Sequence, residues 1–196
     1  MAKAMSNESV TTPSADEIEQ AASKAAGKGL PPLHLWNPPF CGDIDMRIAR
    51  DGTWFYEGGP INRPALVKLF ASIMRREGNR YVLVTPVEKV GITVDDAPFV
   101  AVDVEVSGTD AGPRLTFETN VGDYVVAGQG HPIRVERDAE TEEPSPYVLV
   151  REGLEALIDR KSFYRLVEMG THHEGWFGLW SDGKFFPVIP SDEMEA

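Results

Sequence analysis

Two ten-residue stretches of this chain repeat each other without a gap, and a duplication of that kind constrains everything around it. Ile61-Asn62-Arg63-Pro64-Ala65-Leu66-Val67-Lys68-Leu69-Phe70 aligns onto Ile158-Asp159-Arg160-Lys161-Ser162-Phe163-Tyr164-Arg165-Leu166-Val167. Ile, Arg and Leu are identical, and Asn/Asp, Ala/Ser, Leu/Phe, Lys/Arg and Phe/Val are close in kind. An amide or carboxylate ahead of a helix accepts a hydrogen bond from a first-turn N–H, so Asn62 and Asp159 are expected as N-caps. Glu57-Gly58 and Glu152-Gly153 precede the two helices, with aromatic or β-branched runs on either side. Strand, turn, helix and strand therefore occur twice. A duplicated scaffold organises a fold but brings no chemistry with it.

The surroundings of the repeat read mostly as strands. Ile44, Met46 and Ile48 alternate with Asp43, Asp45 and Arg47, the period of a half-buried strand. Asp51-Gly52 then leads into Thr53-Trp54-Phe55-Tyr56, which predicts a type I′ hairpin with positive φ at both turn residues. The first helix is expected over about 63–76, with Leu66, Leu69, Phe70 and Ile73 at helical spacing. Strand-like runs follow at 81–85, 87–94, 99–106 and 114–119, and a shorter pair at 124–127 and 133–136. In the third run Val100, Val102, Val104 and Val106 are expected on one face, opposite Asp103 and Glu105. The second helix is expected over about 160–169. Strands at 147–151, 176–180 and 185–189 complete the pattern, with Asp182-Gly183 turning the last hairpin.

This predicts an α+β protein, mainly antiparallel β, built from two pseudo-repeated strand–helix–strand modules with one helix packed on a sheet in each. The expected division is a disordered tail over 1–29, a first β-rich module over 30–137, and an acidic loop or linker over 138–146. A second module over 147–190 and a tail over 191–196 follow. A short helix between Asp16 and Ala26 is conceivable from its cap, but Ile18 is its one sizeable apolar side chain, which favours the tail.

Charge narrows the partners. Nineteen Lys and Arg against 31 Asp and Glu give a net charge of −12, a field that repels nucleic acid and anionic membrane surfaces. Cys41 is the one cysteine, so no internal disulfide forms, consistent with a reducing compartment. Met1–Val10 is polar and lacks the apolar core of a signal peptide, and no run is long enough to span a bilayer. The expectation is a soluble, cytoplasmic protein.

Four strings taken together carry a resemblance. Residues 41–56 (Cys-Gly-Asp-Ile-Asp-Met-Arg-Ile-Ala-Arg-Asp-Gly-Thr-Trp-Phe-Tyr), 84–89 (Val-Thr-Pro-Val-Glu-Lys), 119–123 (Thr-Asn-Val-Gly-Asp) and 180–187 (Trp-Ser-Asp-Gly-Lys-Phe-Phe-Pro) are similar to the bacterial family termed domain of unknown function 1285. The resemblance spans roughly residues 30–190. It implies a small, two-part, mostly β protein with repeated motifs and no established activity, for which a role in signalling or regulation by binding is the usual expectation. It implies no catalytic residues.

Two strings are candidates for chemistry. On a strand, Cys41, Asp43, Asp45 and Arg47 share a face, so a thiolate and two carboxylates in line would suit a divalent cation or an acid–base pair. Against this, no Cys or His stands at zinc-like spacing, and Arg47 is a natural salt-bridge partner. Cys41 as a nucleophile would need a histidine or a helix N-terminus to lower its pKa. The second string, Asn120 to Arg134, holds Asn120, Asp123, Gly122, Gly128, Gly130, His131 and Arg134. Its backbone N–H groups and two basic side chains would suit an anion, although turn glycines serving hairpins explain it more cheaply. Arg63 and Arg160 stand just inside helix N-termini, where a cation opposes the macrodipole. Glu57 and Glu152 are their expected partners. The aromatics at 54–56, 176–177, 180 and 185–186 are either core or, on an outer face, a partner patch.

The reading that best fits is a non-enzymatic binding or regulatory protein, in signal transduction for instance, which recognises a small molecule or a protein. Cys41, Asp43, Asp45, Asn120, Asp123, His131 and Arg134 are its expected ligand-binding residues, with no catalytic residue, metal or cofactor assigned. A metal-assisted hydrolase using Asp43 and Asp45 with His131 is one alternative. A structural subunit that self-associates through a strand edge, as a homo-oligomer, is another.

Overall fold

Ser14 caps the first helix of the chain. Its side chain accepts from the Glu17 N–H, and the Glu17 carboxylate accepts from the Ser14 N–H at 2.7 Å. Together these form a capping box. The helix, α1 (Ala15–Ala25), buries Ile18 and Ala22 completely, and Ala15 nearly so. A segment expected as tail is therefore a packed helix. Two alanines and one isoleucine on a single stripe suffice because small side chains allow a close approach to the neighbouring helix. The computed structural model describes residues 11–195, so the expectation for Met1–Val10 lies outside the described residues.

The chain divides into two units. The first comprises residues up to Arg47 together with Trp54–Thr93; the second comprises Ile48–Thr53 and everything from Val94. The first unit holds α1, β1 (Phe40–Ile48), β2 (Trp54–Tyr56), β3 (Gly59–Pro60), α2 (Pro64–Ser72), β4 (Met74–Glu77), β5 (Arg80–Val84) and β6 (Lys89–Val94). Its sheet runs in the order β3-β2-β1-β6-β5-β4, and α1 packs on α2. Along β1, Met46 and Ile48 are buried while Asp43, Asp45 and Arg47 are exposed, as the alternation predicts.

Three local expectations for this part of the chain are overturned. Asp51-Gly52 is not a type I′ turn, since only Gly52 has positive φ (88°). The Gly52 N–H donates to the Ala49 carbonyl and the Ala49 N–H to that of Thr53. That is a type I turn closed by a glycine bulge. The first helix also stops at Ser72 rather than near Arg76, because Met74–Glu77 pairs antiparallel with Arg80–Leu83. Strand pairing buries Ile73 and Met74 and outweighs the helical spacing of the apolar residues. Finally, the cap of α2 is Arg63, not Asn62, with no side-chain hydrogen bond. Pro64 at the first helical position forces the residue before it out of the helical region, and Arg63 sits at φ −118°, ψ 95°.

The second unit holds β7 (Phe99–Thr109), β8 (Gly112–Thr119), β9 (Tyr124–Val126), β10 (Ile133–Arg137), β11 (Pro144–Arg151), β12 (Leu154–Ile158), α3 (Arg160–Val167), β13 (Thr171–His173), β14 (Trp176–Ser181) and β15 (Lys184–Pro190). A six-stranded sheet in the order β10-β11-β12-β7-β8-β9 is antiparallel except where β12 meets β7. A three-stranded sheet, β13-β14-β15, completes the unit, and α3 packs against β7 and β14. Asp182 (φ 49°) and Gly183 (φ 73°) turn the last hairpin as expected, and with both φ positive the turn is type I′. On β7 a register shift between Ala101 and Asp103 breaks the valine face. Val104 is buried, whereas Val102 and Val106 are 38% and 39% exposed.

The protein is thus α+β and mainly antiparallel, with similar modules in the two units. The local order recurs as β2, Glu57-Gly58, β3, α2, β4 and as β11, Glu152-Gly153, β12, α3, β13. The acidic stretch 138–143 joins paired strands β10 and β11 inside the second unit, so the division between units falls near residue 94 and not at 138–146. Near the C-terminus Ser191–Glu195 forms a 3-10 turn in place of a tail, with Glu193 paired to Arg137. Among the described residues no helix is long and apolar enough to cross a membrane.

Asp159 is the N-cap of α3, accepting from the Ser162 N–H at 2.8 Å. Asp159→Ala is expected to cost about 1 kcal/mol of stability. Asn62→Ala, which removes no cap, is expected to leave urea denaturation unchanged. Equal losses at the two positions would show that the repeat caps both helices alike.

Candidate functional site

A cavity of about 270 Å³ opens in the second unit where β11 and β12 meet the start of α3. Leu157, Ile158, Phe163 and the two prolines Pro144 and Pro146 supply its apolar lining, and Arg50, Glu143, Ser145, Asp159, Arg160 and Tyr164 its polar groups. Arg50 comes from the tight turn at Ala49–Gly52. Its Nη1 lies 2.8 Å from Asp96 Oδ2, and its Nη2 donates to Ser145 Oγ at 3.0 Å. The other Asp96 oxygen accepts from the Tyr147 hydroxyl at 2.7 Å. Tyr147 is 3% exposed. Burial, and then the hydrogen bond to Asp96, pushes its hydroxyl up to about 12, so it remains a donor at neutral pH. A buried tyrosine and a half-buried carboxylate thus orient a guanidinium that is itself 59% exposed.

Arg160 is the first residue of α3 and reaches 4.0 Å from Glu143, with both side chains largely exposed. Its repeat counterpart Arg63 bonds Glu19 at 2.8 Å in the first unit. The expected partners are otherwise occupied. Glu57 (φ 49°) and Glu152 (φ 37°) take the first, left-handed position of tight turns with Gly58 and Gly153, and Glu174-Gly175 does the same between β13 and β14. The repeated Glu-Gly pair is turn chemistry, not ion-pair chemistry.

The two expected binding strings fall in different units. In the first, Cys41 Sγ donates to the Pro39 carbonyl at 3.5 Å, Asp43 pairs with Arg80, and Asp45 is exposed on β1. In the second, Asn120 accepts from the Val100 N–H at 3.0 Å and Asp123 bonds Arg151 at 2.6 Å. His131 Nδ1 lies 2.9 Å from the Leu149 carbonyl. Arg134 makes two 2.7 Å bonds to Glu155, which raise its pKa further, and pairs with Glu136. These contacts tie strands and turns to one another. Among the described residues no group of three or more His, Cys, Asp or Glu side chains forms a metal cluster. Of the aromatics, Trp54 is buried in the first unit and Phe177 and Phe186 in the second, where His173 packs edge to face on Trp180 and Phe185, and Trp176 is 43% exposed.

Comparison with known proteins places these features. Residues 31–97 match the N-terminal domain of DUF1285, a domain of unknown function, and residues 98–188 match its C-terminal domain. The chain belongs to the DUF1285 family. A crystal structure of a DUF1285 family protein from Silicibacter pomeroyi DSS-3 is 65% identical over 91% of this chain and 98% of its own, with a TM-score of 0.85. One from Shewanella baltica OS155 is 29% identical over 64% of this chain and 91% of its own, with a TM-score of 0.50. No curated protein matches the chain.

Within this DUF1285 chain the cavity gathers residues from four separate stretches, around 50, 143–146, 157–160 and 163–164. Arg160 carried a signal, because a cation at a helix start needs a reason. Arg50, Ser145 and Tyr164 carried none, since each is an ordinary surface residue until the strands are assembled. Ser145 Oγ accepts from the Arg50 cation, which cannot itself take up a proton.

Proposed function

We propose that this DUF1285 protein is a non-enzymatic binding protein that takes a small molecule in the cavity beside α3, with regulation as the outcome of occupancy. The observation that carries the reading is the Tyr147–Asp96–Arg50 chain. Burying polar groups is costly unless they are paired, and here two of them hold one accessible arginine in the lining of a partly apolar cavity. A preset cation beside apolar surface favours binding, and the side-chain partner of the lining hydroxyl Ser145 is Arg50, not a base.

The test is native mass spectrometry of the full chain after incubation with a small-molecule fraction of a cell extract. The parent protein is expected to retain a defined mass excess, and Arg50→Ala to lose it. An unchanged mass in the parent, or an excess that Arg50→Ala keeps, would overturn the assignment to this cavity.

A further inference from the structure

We infer that the ligand of this cavity is a small organic anion, a carboxylate or phosphate ester on an apolar body, clasped between Arg50 and Arg160. The inference rests on the reading of the cavity as a binding site and adds the class of molecule that fills it.

The argument is a count of donors against acceptors around the cavity. Apart from Glu143, its carboxylates and its serine already have partners. Asp159 caps α3 through the Ser162 N–H at 2.8 Å, Ser145 Oγ accepts from Arg50 at 3.0 Å, and Asp96 behind them accepts from Tyr147 and pairs with Arg50. Glu143 is 70% exposed and 4.0 Å from Arg160, too far for a hydrogen bond. Donors are in surplus. A guanidinium has five N–H groups in a planar fork. Arg50 uses one to Ser145 and directs another at Asp96, while Arg160 has that one distant carboxylate. Arg160 also stands where its charge opposes the helix dipole, and an exposed pair at 4.0 Å contributes little in return. An acceptor-rich, negatively charged group between the two forks satisfies both and offsets that opposition. Leu157, Ile158 and Phe163 in the same lining call for an apolar body. The volume of about 270 Å³ falls just below the usual range for ligand sites, which sets the size at a single ring or short chain.

Charge also bears on selectivity. At −12 overall, the protein repels anions at long range, so the attraction is local to the two arginines and short-ranged. Polyanions are disfavoured and a singly or doubly charged small molecule is not.

The test uses the full chain with 3-phenylpropionate, phenyl phosphate and the neutral 3-phenylpropionamide, followed by calorimetry or ligand-observed NMR. One or both anions are expected to bind at least about tenfold tighter than the amide, which corresponds to 1.4 kcal/mol. That preference is expected to shrink with salt and to fall away in Arg160→Ala. This side chain is 75% exposed and makes no contact with the Tyr147–Asp96 chain, so the variant is expected to fold as the parent does. Whichever anion is preferred separates a carboxylate ligand from a phosphorylated one. Equal or tighter binding of the amide would leave the cavity as a binding site but overturn the anion. So would a preference that survives in Arg160→Ala. If none of the three binds while the extract still yields an Arg50-dependent mass excess, the ligand class is wrong and the site stands. If neither experiment shows binding, both readings fall.

Discussion

Trp54→Ala is expected to remove about 4 kcal/mol from the stability of the first unit. The side chain is 1% exposed, and its ring stacks on Phe70 with centroids 6.2 Å apart and planes 29° from parallel. Truncation deletes one of the largest apolar surfaces in that core and leaves a void that rigid neighbours cannot collapse into. Trp54→Phe separates size from polarity. The indole Nε1 is buried without a hydrogen-bond partner among the described residues. An orphaned donor carries a desolvation cost of roughly 1–3 kcal/mol, so removing it offsets much of the lost area. Phenylalanine is therefore expected to cost about 1 kcal/mol or less. Hydrogen exchange along β5 and β6 under urea reads both changes in the unit where they occur. If phenylalanine destabilised as much as alanine, the indole nitrogen would have to be satisfied.

Ser181→Ala is expected to cost about 3 kcal/mol in the second unit, although it deletes a single oxygen. Ser181 is completely buried; its hydroxyl donates to the Ala127 carbonyl at 2.7 Å and accepts from the Leu115 N–H at 2.9 Å. One side chain on β14 thus satisfies two backbone groups, one on β8 and one just past the end of β9. Alanine leaves both buried and unpaired. Ser162 supplies the control. It is equally buried, yet its hydroxyl has no partner among the described residues, so Ser162→Ala is expected to be neutral or slightly stabilising. Urea denaturation of the two variants should separate them clearly. Similar midpoints would mean that the Ser181 hydroxyl is replaced by water without penalty.

What could be read from the residues depended on how local the deciding interaction is. The alternation along β1 and the Asp182-Gly183 turn were legible because a period of two and a pair of positive φ angles are set within a few residues. The second half of the expected first helix was not. Ile73 and Met74 fit a helix as well as a strand, and only pairing with β5 decides between them. The cap of α2 slipped by one residue because Pro64 outranks Asn62 in fixing where a helix begins. Helix α1 was missed for a different reason: the small size of Ala15 and Ala22, which counted against burial, is what allows them to pack. The candidate site was the least legible part. The polar strings at 41–45 and 120–134 stand out in sequence because strand edges and hairpins need polar and glycine residues there. The cavity is assembled from fragments that have no pattern in common.

The tip of the first hairpin has a consequence for inheritance. Ile48–Thr53 interrupts the first unit in sequence but belongs to the second, where Asn120 accepts from Val100 and donates to the Gly52 carbonyl. A gene fragment that begins at residue 98, the start of the C-terminal family domain, encodes neither Arg50 nor Asp96. The C-terminal domain cannot therefore be copied or fused elsewhere with its cavity whole. Its two arginines come from either side of the family boundary, and they travel together only as long as the two domains do.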